Sequence, residues 1–309
     1  LQLTALQGRE HPSCRAPALL LFAADHGVAM EGVSAYSSRA TAQMVYQYLS
    51  GGAAVNALCR QHGVKLRVAD VGVDHDFEHA SGLHHAKVRR GTRNFVREPA
   101  MTSGELAAAL KAGAALVATC PESDVMALGE MGIGNTTASA AVLAALTGDP
   151  VENLVGRGTG IGNATLERKR EAVRRGLELH APANPLEALR CLGGLEMAAL
   201  VGAMLSAAEC RRLIVLDGFI TGVAALVAQS LQPGLRRCLV AGHRSAEPAH
   251  ARVLELLELR PLLDLDLRLG EGSGAVLGLS LVDSAARLMR EMRTFAEANI
   301  ERPLDPRDG

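Results

Sequence analysis

Val125-Met-Ala-Leu-Gly129 runs without a break into Glu130-Met-Gly-Ile-Gly-Asn-Thr-Thr137, and a helical stretch, Thr136 to Leu146, follows at once. An unbroken apolar run of this length reads as a strand buried on both faces. The same grammar recurs along the chain. Pro17 to Ala24 runs into Asp25-His26-Gly27, Lys65 to Val73 into Asp74, Leu213 to Leu216 into Asp217-Gly218, and Cys238 to Ala241 into Gly242-His243. Helical stretches lie between them: Thr41 to Leu49, Gly52 to His62, Gly104 to Ala118 and Gly194 to Ala208. Strand and helix in alternation predict an α/β fold, a parallel sheet flanked by helices. Ligands of such sheets bind beyond the carboxyl ends of the strands. Any one of the acidic strand ends reads equally well as a helix cap. Five polar strand ends together favour a site.

Glu130 to Thr137 is the richest of these ends. Two glycines let backbone N–H groups turn toward a ligand, the start of a helix favours an anion, and Asn135, Thr136 and Thr137 add side-chain donors. The segment lacks the lysine of a P-loop and the spacing of a dinucleotide fingerprint. A second glycine turn, Gly156-Arg-Gly-Thr-Gly160, precedes a helix carrying Arg168, Lys169 and Arg170. The two arginines read as a solvated face; Lys169 reads either way. Leu262 to Leu269 alternates apolar and charged residues, the period of a half-exposed strand, and delivers Glu271 into Gly270-Glu-Gly-Ser-Gly274. A carboxylate between glycines suits a general base. It equally suits a first-turn acid facing a helix dipole, and spacing alone does not choose.

Composition narrows the function classes. Of 309 residues, 48% are hydrophobic, 21% charged and only 3% aromatic, with a net charge of −1. That lacks the basic field tight nucleic-acid binding requires, so no nucleic-acid partner is expected. Met197 to Ala208 falls short of the ~18 apolar residues of a membrane span. Cys14, Cys59, Cys120, Cys191, Cys210 and Cys238 are scattered, which suits reduced thiols and a cytoplasmic setting. Asp74 to Arg97 reads as a long polar loop. Its His75, His79, His84 and His85 invite a metal, but Gly82 stands among them and no thiolate or glutamate completes the spacing, so no metal is expected. The helix after Ser273 carries Leu277, Leu281, Ala285, Leu288, Met292 and Phe295 on one face. Residues 18–275 are expected to form the large α/β domain, with 1–17 and 276–309 making a smaller helical one.

Taken in order, these stretches resemble the nicotinate-nucleotide–dimethylbenzimidazole phosphoribosyltransferase family. The matching segments are Ala24-Asp-His-Gly-Val28, Glu31-Gly-Val-Ser-Ala-Tyr36, Thr41-Ala-Gln-Met44, Gly51-Gly-Ala-Ala-Val-Asn56 and Asp70-Val-Gly-Val73. Arg90-Gly-Thr92 with Asn94-Phe95, Glu130 to Thr137, Gly156 to Ile161, Leu216-Asp-Gly-Phe219, Gly242-His-Arg-Ser245 and Gly270 to Ala275 complete the set. The likeness runs from about Leu19 onward. It implies a six-stranded parallel sheet, a smaller helical domain, a homodimer, and transfer of the phosphoribosyl group of nicotinate mononucleotide to 5,6-dimethylbenzimidazole. By this resemblance Glu271 is the general base. Gly132, Gly134, Asn135, Thr136 and Lys169 hold the phosphate; Glu130, Asp217 and Ser245 line the ribose and nicotinate; Tyr36, Gln43, Met44 and Leu269 flank the flat base.

The implied chemistry requires no metal or redox cofactor. A pyridinium leaves as a neutral ring, and one base activates the entering nitrogen. Two departures stand out. Relatives usually begin with a helical segment containing Lys-Pro-Pro-Gly-Ser-Leu-Gly, which is absent here, so part of the small domain and dimer contact is expected to be missing. Gly162-Asn163 stands where an acidic residue is usual, with Asn163 expected to cap the helix. The rival readings are another N-glycosidic enzyme acting on a nucleotide, and a nucleotide-binding regulator without catalysis. An exposed base at Glu271 favours the enzymes; a dinucleotide oxidoreductase fails for want of its fingerprint.

Overall fold

The structure is a computed structural model, described here for residues 1–78, 80–158 and 160–301. After α1 (Gln2–Gln7) the chain enters β1 (Ala18–Ala24), then α2 (Arg39–Ser50), α3 (Ala54–His62), β2 (Lys65–Gly72) and β3 (Leu83–His85). It continues through α4 (Ser103–Ala118), β4 (Val125–Met131), α5 (Asn135–Thr147), α6 (Val151–Leu154), α7 (Asn163–His180), α8 (Pro185–Leu192) and α9 (Leu195–Glu209). The last part holds β5 (Leu213–Leu216), α10 (Phe219–Leu231), β6 (Leu239–Ala241), β7 (His243–Arg244), α11 (His250–Leu256), β8 (Leu263–Asp264) and α12 (Ser273–Glu291).

Six strands form one parallel sheet in the order β3-β2-β1-β4-β5-β6. Strand order therefore reverses between β1 and β4, the kind of switch point where such sheets open a crevice at their carboxyl ends. β1 is buried along its whole length, and its alternate residues feed two cores. Leu20 and Phe22 pack with the helices α4, α5, α9 and α10 on one face. Leu19, Leu21 and Ala23 pack with α2, α3 and α12 on the other. Leu3 of α1, with Val276, Leu279 and Ala286 of α12, shares that second core with the strands.

Two expectations are corrected. The loop expected over Asp74–Arg97 contains β3, which pairs with Val68–Asp70 of β2. A three-residue edge strand holding two histidines has no apolar run to announce it. The strand expected over Leu262–Leu269 is confined to β8, which pairs only with β7. A strand needs a partner, and Asp266 lies at φ 53°, left-handed backbone that ends any extension. The six cysteines are all free thiols, with Cys210 exposed and Cys59, Cys120, Cys191 and Cys238 buried. Among the described residues no helix is long and apolar enough to cross a membrane.

Candidate active site

β4 delivers Glu130 at the switch point, and the chain turns at once into α5. Gly134 holds φ 100°, which a side chain would strain, and so lets the turn close directly into the helix. The first turn of α5 has no side-chain cap. Among the described residues, neither the Gly134 nor the Thr136 N–H meets a backbone or side-chain acceptor. A helix start left in this state carries a partial positive charge and free donors. Beside it, α7 presents Lys169, which is 1% exposed. Its ammonium donates to Thr136 Oγ1 at 2.9 Å and to the Gly156 carbonyl at 3.0 Å. Burial pulls its pKa down to about 8, against the carboxylate of Glu247. A cation this deeply buried, only partly compensated by Glu247, favours an anion nearby.

The opposite wall is acidic. Glu130 is buried and accepts from the Asn135 amide. Burial, followed by the charges of Asp217, Glu196 and Glu271, pushes its pKa up to about 8. Glu271, expected to be exposed, is buried in the turn ahead of α12, packed against β4. It holds φ 65°, a left-handed conformation that costs a residue with a Cβ about 1–2 kcal/mol. The turn rests on β4 at Gly129, where a Cβ would stand 2.6 Å from the Glu271 carbonyl oxygen. Burial raises the Glu271 carboxyl to about 7; the Tyr48 hydroxyl pulls it down and Asp217 pushes it further up. Among the described residues its Oε2 and the Tyr48 hydroxyl are both buried without a hydrogen bond of good geometry. A carboxyl with a free buried oxygen and a pKa near 7 is poised to take a proton.

These residues line a cleft that opens to solvent. Ten of the residues singled out from sequence line it: Glu130, Gly132, Gly134, Asn135, Thr136, Lys169, Asp217, Ser245, Leu269 and Glu271. Tyr36, Gln43 and Met44 lie outside its wall, although Val33 and Ser34 belong to it. Met44 is half-buried one helical turn before Tyr48, on the same face of α2. Of the five polar strand ends, those of β4, β5 and β6 converge here through Glu130, Asp217 and His243. Those of β1 and β2 serve each other instead: Asp25 Oδ2 accepts from the Asp74 N–H at 2.8 Å. Asp217 lines the cleft, but its oxygens accept from the backbone N–H groups of Gly272, Gly274 and Ala275.

One further correction concerns a single side chain. Asn163 was expected to cap α7; its Oδ1 instead accepts from Arg157 Nη2 at 2.7 Å, and α7 has no side-chain cap. Arg157 reaches both this oxygen and the Ile161 carbonyl, so the cleft keeps a guanidinium where the sequence suggested only a missing acid. His75 bonds the Tyr46 hydroxyl at 3.0 Å and packs edge-on against Phe77, while His79 lies outside the described residues. Sequence reading missed Tyr48 and the buried pair His26–Glu196, 2.8 Å apart beneath the Gly132–Gly134 turn. Tyr48's position four residues after Met44 was the available signal for it. Nothing local could have paired His26 with Glu196.

Known proteins share this architecture. A family model described as phosphoribosyltransferase (DBI_PRT) matches residues 1–300. The chain is 49% identical over 303 residues to a nicotinate-nucleotide–dimethylbenzimidazole phosphoribosyltransferase of Variovorax paradoxus, covering 98% of this chain and 86% of that protein. It is 47% identical over 305 residues to the protein of the same name from Chloroflexus aggregans, covering 97% and 86%. The crystal structure of CobT from Thermus thermophilus is similar at a TM-score of 0.94 and 48% identity, covering 97% of this chain and 91% of that one.

Proposed function

The chain belongs to the nicotinate-nucleotide–dimethylbenzimidazole phosphoribosyltransferase family, and from that premise we propose that it transfers the phosphoribosyl group of nicotinate mononucleotide to 5,6-dimethylbenzimidazole. The products are nicotinate and α-ribazole 5′-phosphate, the nucleotide of the cobalamin lower ligand. The observation that carries this reading is the division of one cleft into a cationic and an acidic wall. An uncapped α5 and the buried Lys169 stand on one side, and Glu271, with its pKa near 7, on the other.

In the proposed reaction the 5′-phosphate lies against Gly132, Gly134, Asn135, Thr136 and Lys169. Glu130 and Ser245 meet the ribose and nicotinate; Asp217, placed beside them by resemblance, spends its oxygens on the amides of Gly272, Gly274 and Ala275. Leu269 flanks the flat base from the cleft wall, while Tyr36, Gln43 and Met44, assigned to the base by resemblance, lie outside that wall. Glu271 removes the azole N–H proton while the other nitrogen attacks C1′ from the face opposite the pyridinium. The C1′–N bond to nicotinate breaks and its electron pair neutralises the ring nitrogen. Backside attack turns the β-linkage into α. The leaving ring needs no proton, so one base suffices, contributing about 10²–10⁴ in rate. Holding nucleophile and C1′ in line supplies a further large share. With its pKa pushed to about 8, Glu130 stays mostly protonated at neutral pH and serves as a hydrogen-bond donor rather than a second base.

A homodimer belongs to the same proposal. Leu281, Leu288, Met289, Met292 and Phe295 leave an apolar face of α12 and the residues after it exposed. Sedimentation at micromolar concentration should find two chains per particle; a monomer would remove the partner from the site. The activity is tested by incubating the protein with nicotinate mononucleotide, with and without dimethylbenzimidazole. Nicotinate should appear only with the base present, in equal amount with the α-anomeric product. Release without dimethylbenzimidazole would make the protein a hydrolase, and no release under either condition would refute the proposal.

A further inference from the structure

Asp217 follows β5 directly, yet its carboxylate serves a turn more than fifty residues further along. Oδ2 accepts from the Gly272 N–H at 3.1 Å, and Oδ1 from those of Gly274 at 2.8 Å and Ala275 at 3.1 Å. His243 Nε2 stands 3.5 Å from Oδ1, and its ring packs directly against Gly274 of the same turn. The site is thoroughly buried, Asp217 being 1% exposed and His243 3%. Three amides of one turn gathered by one carboxylate form a rigid mount. At its apex stands Glu271, held at φ 65° where an unsupported residue would relax.

We infer that Asp217 is a positioning residue for the reaction: by binding the amides of Gly272, Gly274 and Ala275 it fixes the Glu271 carboxylate in the cleft and keeps a negative charge beside it. The inference rests on Glu271 acting as the base. The reason is geometric first. Without Asp217 the first turn of α12 loses its only side-chain acceptor among the described residues, and the strained apex loses its anchor. It is electrostatic second. The groups bearing on Glu271 are Tyr48 from α2, Glu130 from β4 and Asp217 after β5, with His243 of β7 packed against both Asp217 and Gly274. Of these, Asp217 raises the Glu271 carboxyl and Tyr48 lowers it. Removing the Asp217 charge must therefore move the ionisation of Glu271 to lower pH.

Two variants separate geometry from charge. Asp217→Asn removes the charge and one acceptor oxygen; kcat should fall about 10- to 100-fold, the scale of a misplaced reacting group. The acid limb of its pH profile should move down by roughly half a unit or more. Asp217→Glu keeps the charge but displaces the oxygens, so kcat should fall while the acid limb stays. In both, nicotinate mononucleotide should bind within about threefold of its normal affinity, because the phosphate lies on the other wall. Turnover near normal in either folded variant, or an unmoved limb in Asp217→Asn, would overturn the inference. Hydrogen exchange on the unaltered protein needs no variant: the Gly272, Gly274 and Ala275 amides should be protected while those of Gly134 and Thr136 exchange freely. Equal exchange at both turns would also overturn it. Glu271→Gln run alongside keeps the two ideas apart. Normal turnover there removes the base itself; slow turnover there, with unaffected Asp217 variants, removes only its mount.

Discussion

Two helices start at the same cleft, both from glycine-rich turns, and they are finished in opposite ways. The α5 end is left uncapped, with Gly134 and Thr136 N–H groups without acceptors among the described residues and the ammonium of Lys169 beside them. The α12 end is closed from within, its amides consumed by Asp217 and its left-handed apex occupied by a glutamate instead of a glycine. A helix start is an anion site only while its donors are unspent. The open end is suited to a substrate phosphate and the closed one to presenting a rigid carboxylate. Two similar glycine patterns in the sequence are thus finished in opposite ways.

The largest expected break in this contrast comes from Lys169→Met, which keeps the stem and deletes the charge. Nicotinate mononucleotide should bind about 100-fold more weakly, the scale of a lost charged hydrogen bond. The melting temperature should not fall, since a buried, partly compensated cation adds little stability. Calorimetry with unchanged affinity would detach the phosphate from Lys169. Gly134→Val should act in the same direction but more weakly, about tenfold. It strains φ 100° and sets a Cβ 3.2 Å from His26, spoiling the open end while leaving dimethylbenzimidazole binding intact. Equal affinity of the intact protein for the nucleotide and its dephosphorylated riboside would undo the assignment altogether.

Glu130 sharpens the contrast from the side of stability. Its pKa is raised from 4.5 to about 8 in the folded chain, so the folded state holds this proton more tightly than the unfolded one. Stability from that proton is fully present below the unfolded value and is lost as pH rises through the folded one. Glu130→Gln cannot ionise. Its melting temperature relative to the unaltered protein should therefore climb steadily between about pH 5 and pH 8. A difference that does not change with pH would mean that Glu130 is not held protonated. The smallest effect is expected from a chelator. Dialysis against EDTA should change neither activity nor melting temperature, because the proposed leaving ring needs no Lewis acid. Loss of activity restored by one divalent ion would point back to the histidines near His75.

Much of this was legible because it is local. Val125 to Thr137 spells strand, turn and helix in consecutive residues, and both the sheet and the open helix start follow from reading along the chain. Glu271 was legible as a carboxylate on a glycine turn, though not which of its two roles it plays. What bears on the choice is Asp217, which takes up the turn's amides from 55 residues away. The His26–Glu196 pair spans 170 residues and was invisible for the same reason. The alternation in Leu262–Leu269 misled because periodicity records only which face a residue prefers, whereas a strand also requires a continuous ladder, and among the described residues only Leu263 and Asp264 form one. Tyr36 and Gln43 came from resemblance alone, and the cleft wall does not include them.

The most direct test is the rate of nicotinate release by Glu271→Gln at saturating nicotinate mononucleotide and dimethylbenzimidazole, with nucleotide affinity measured on the same preparation. The expected result is a rate lower by about 10² or more with affinity unchanged, because the closed helix end has lost its base and the open one is untouched. A folded Glu271→Gln protein that binds the nucleotide and releases nicotinate at close to the normal rate would contradict it.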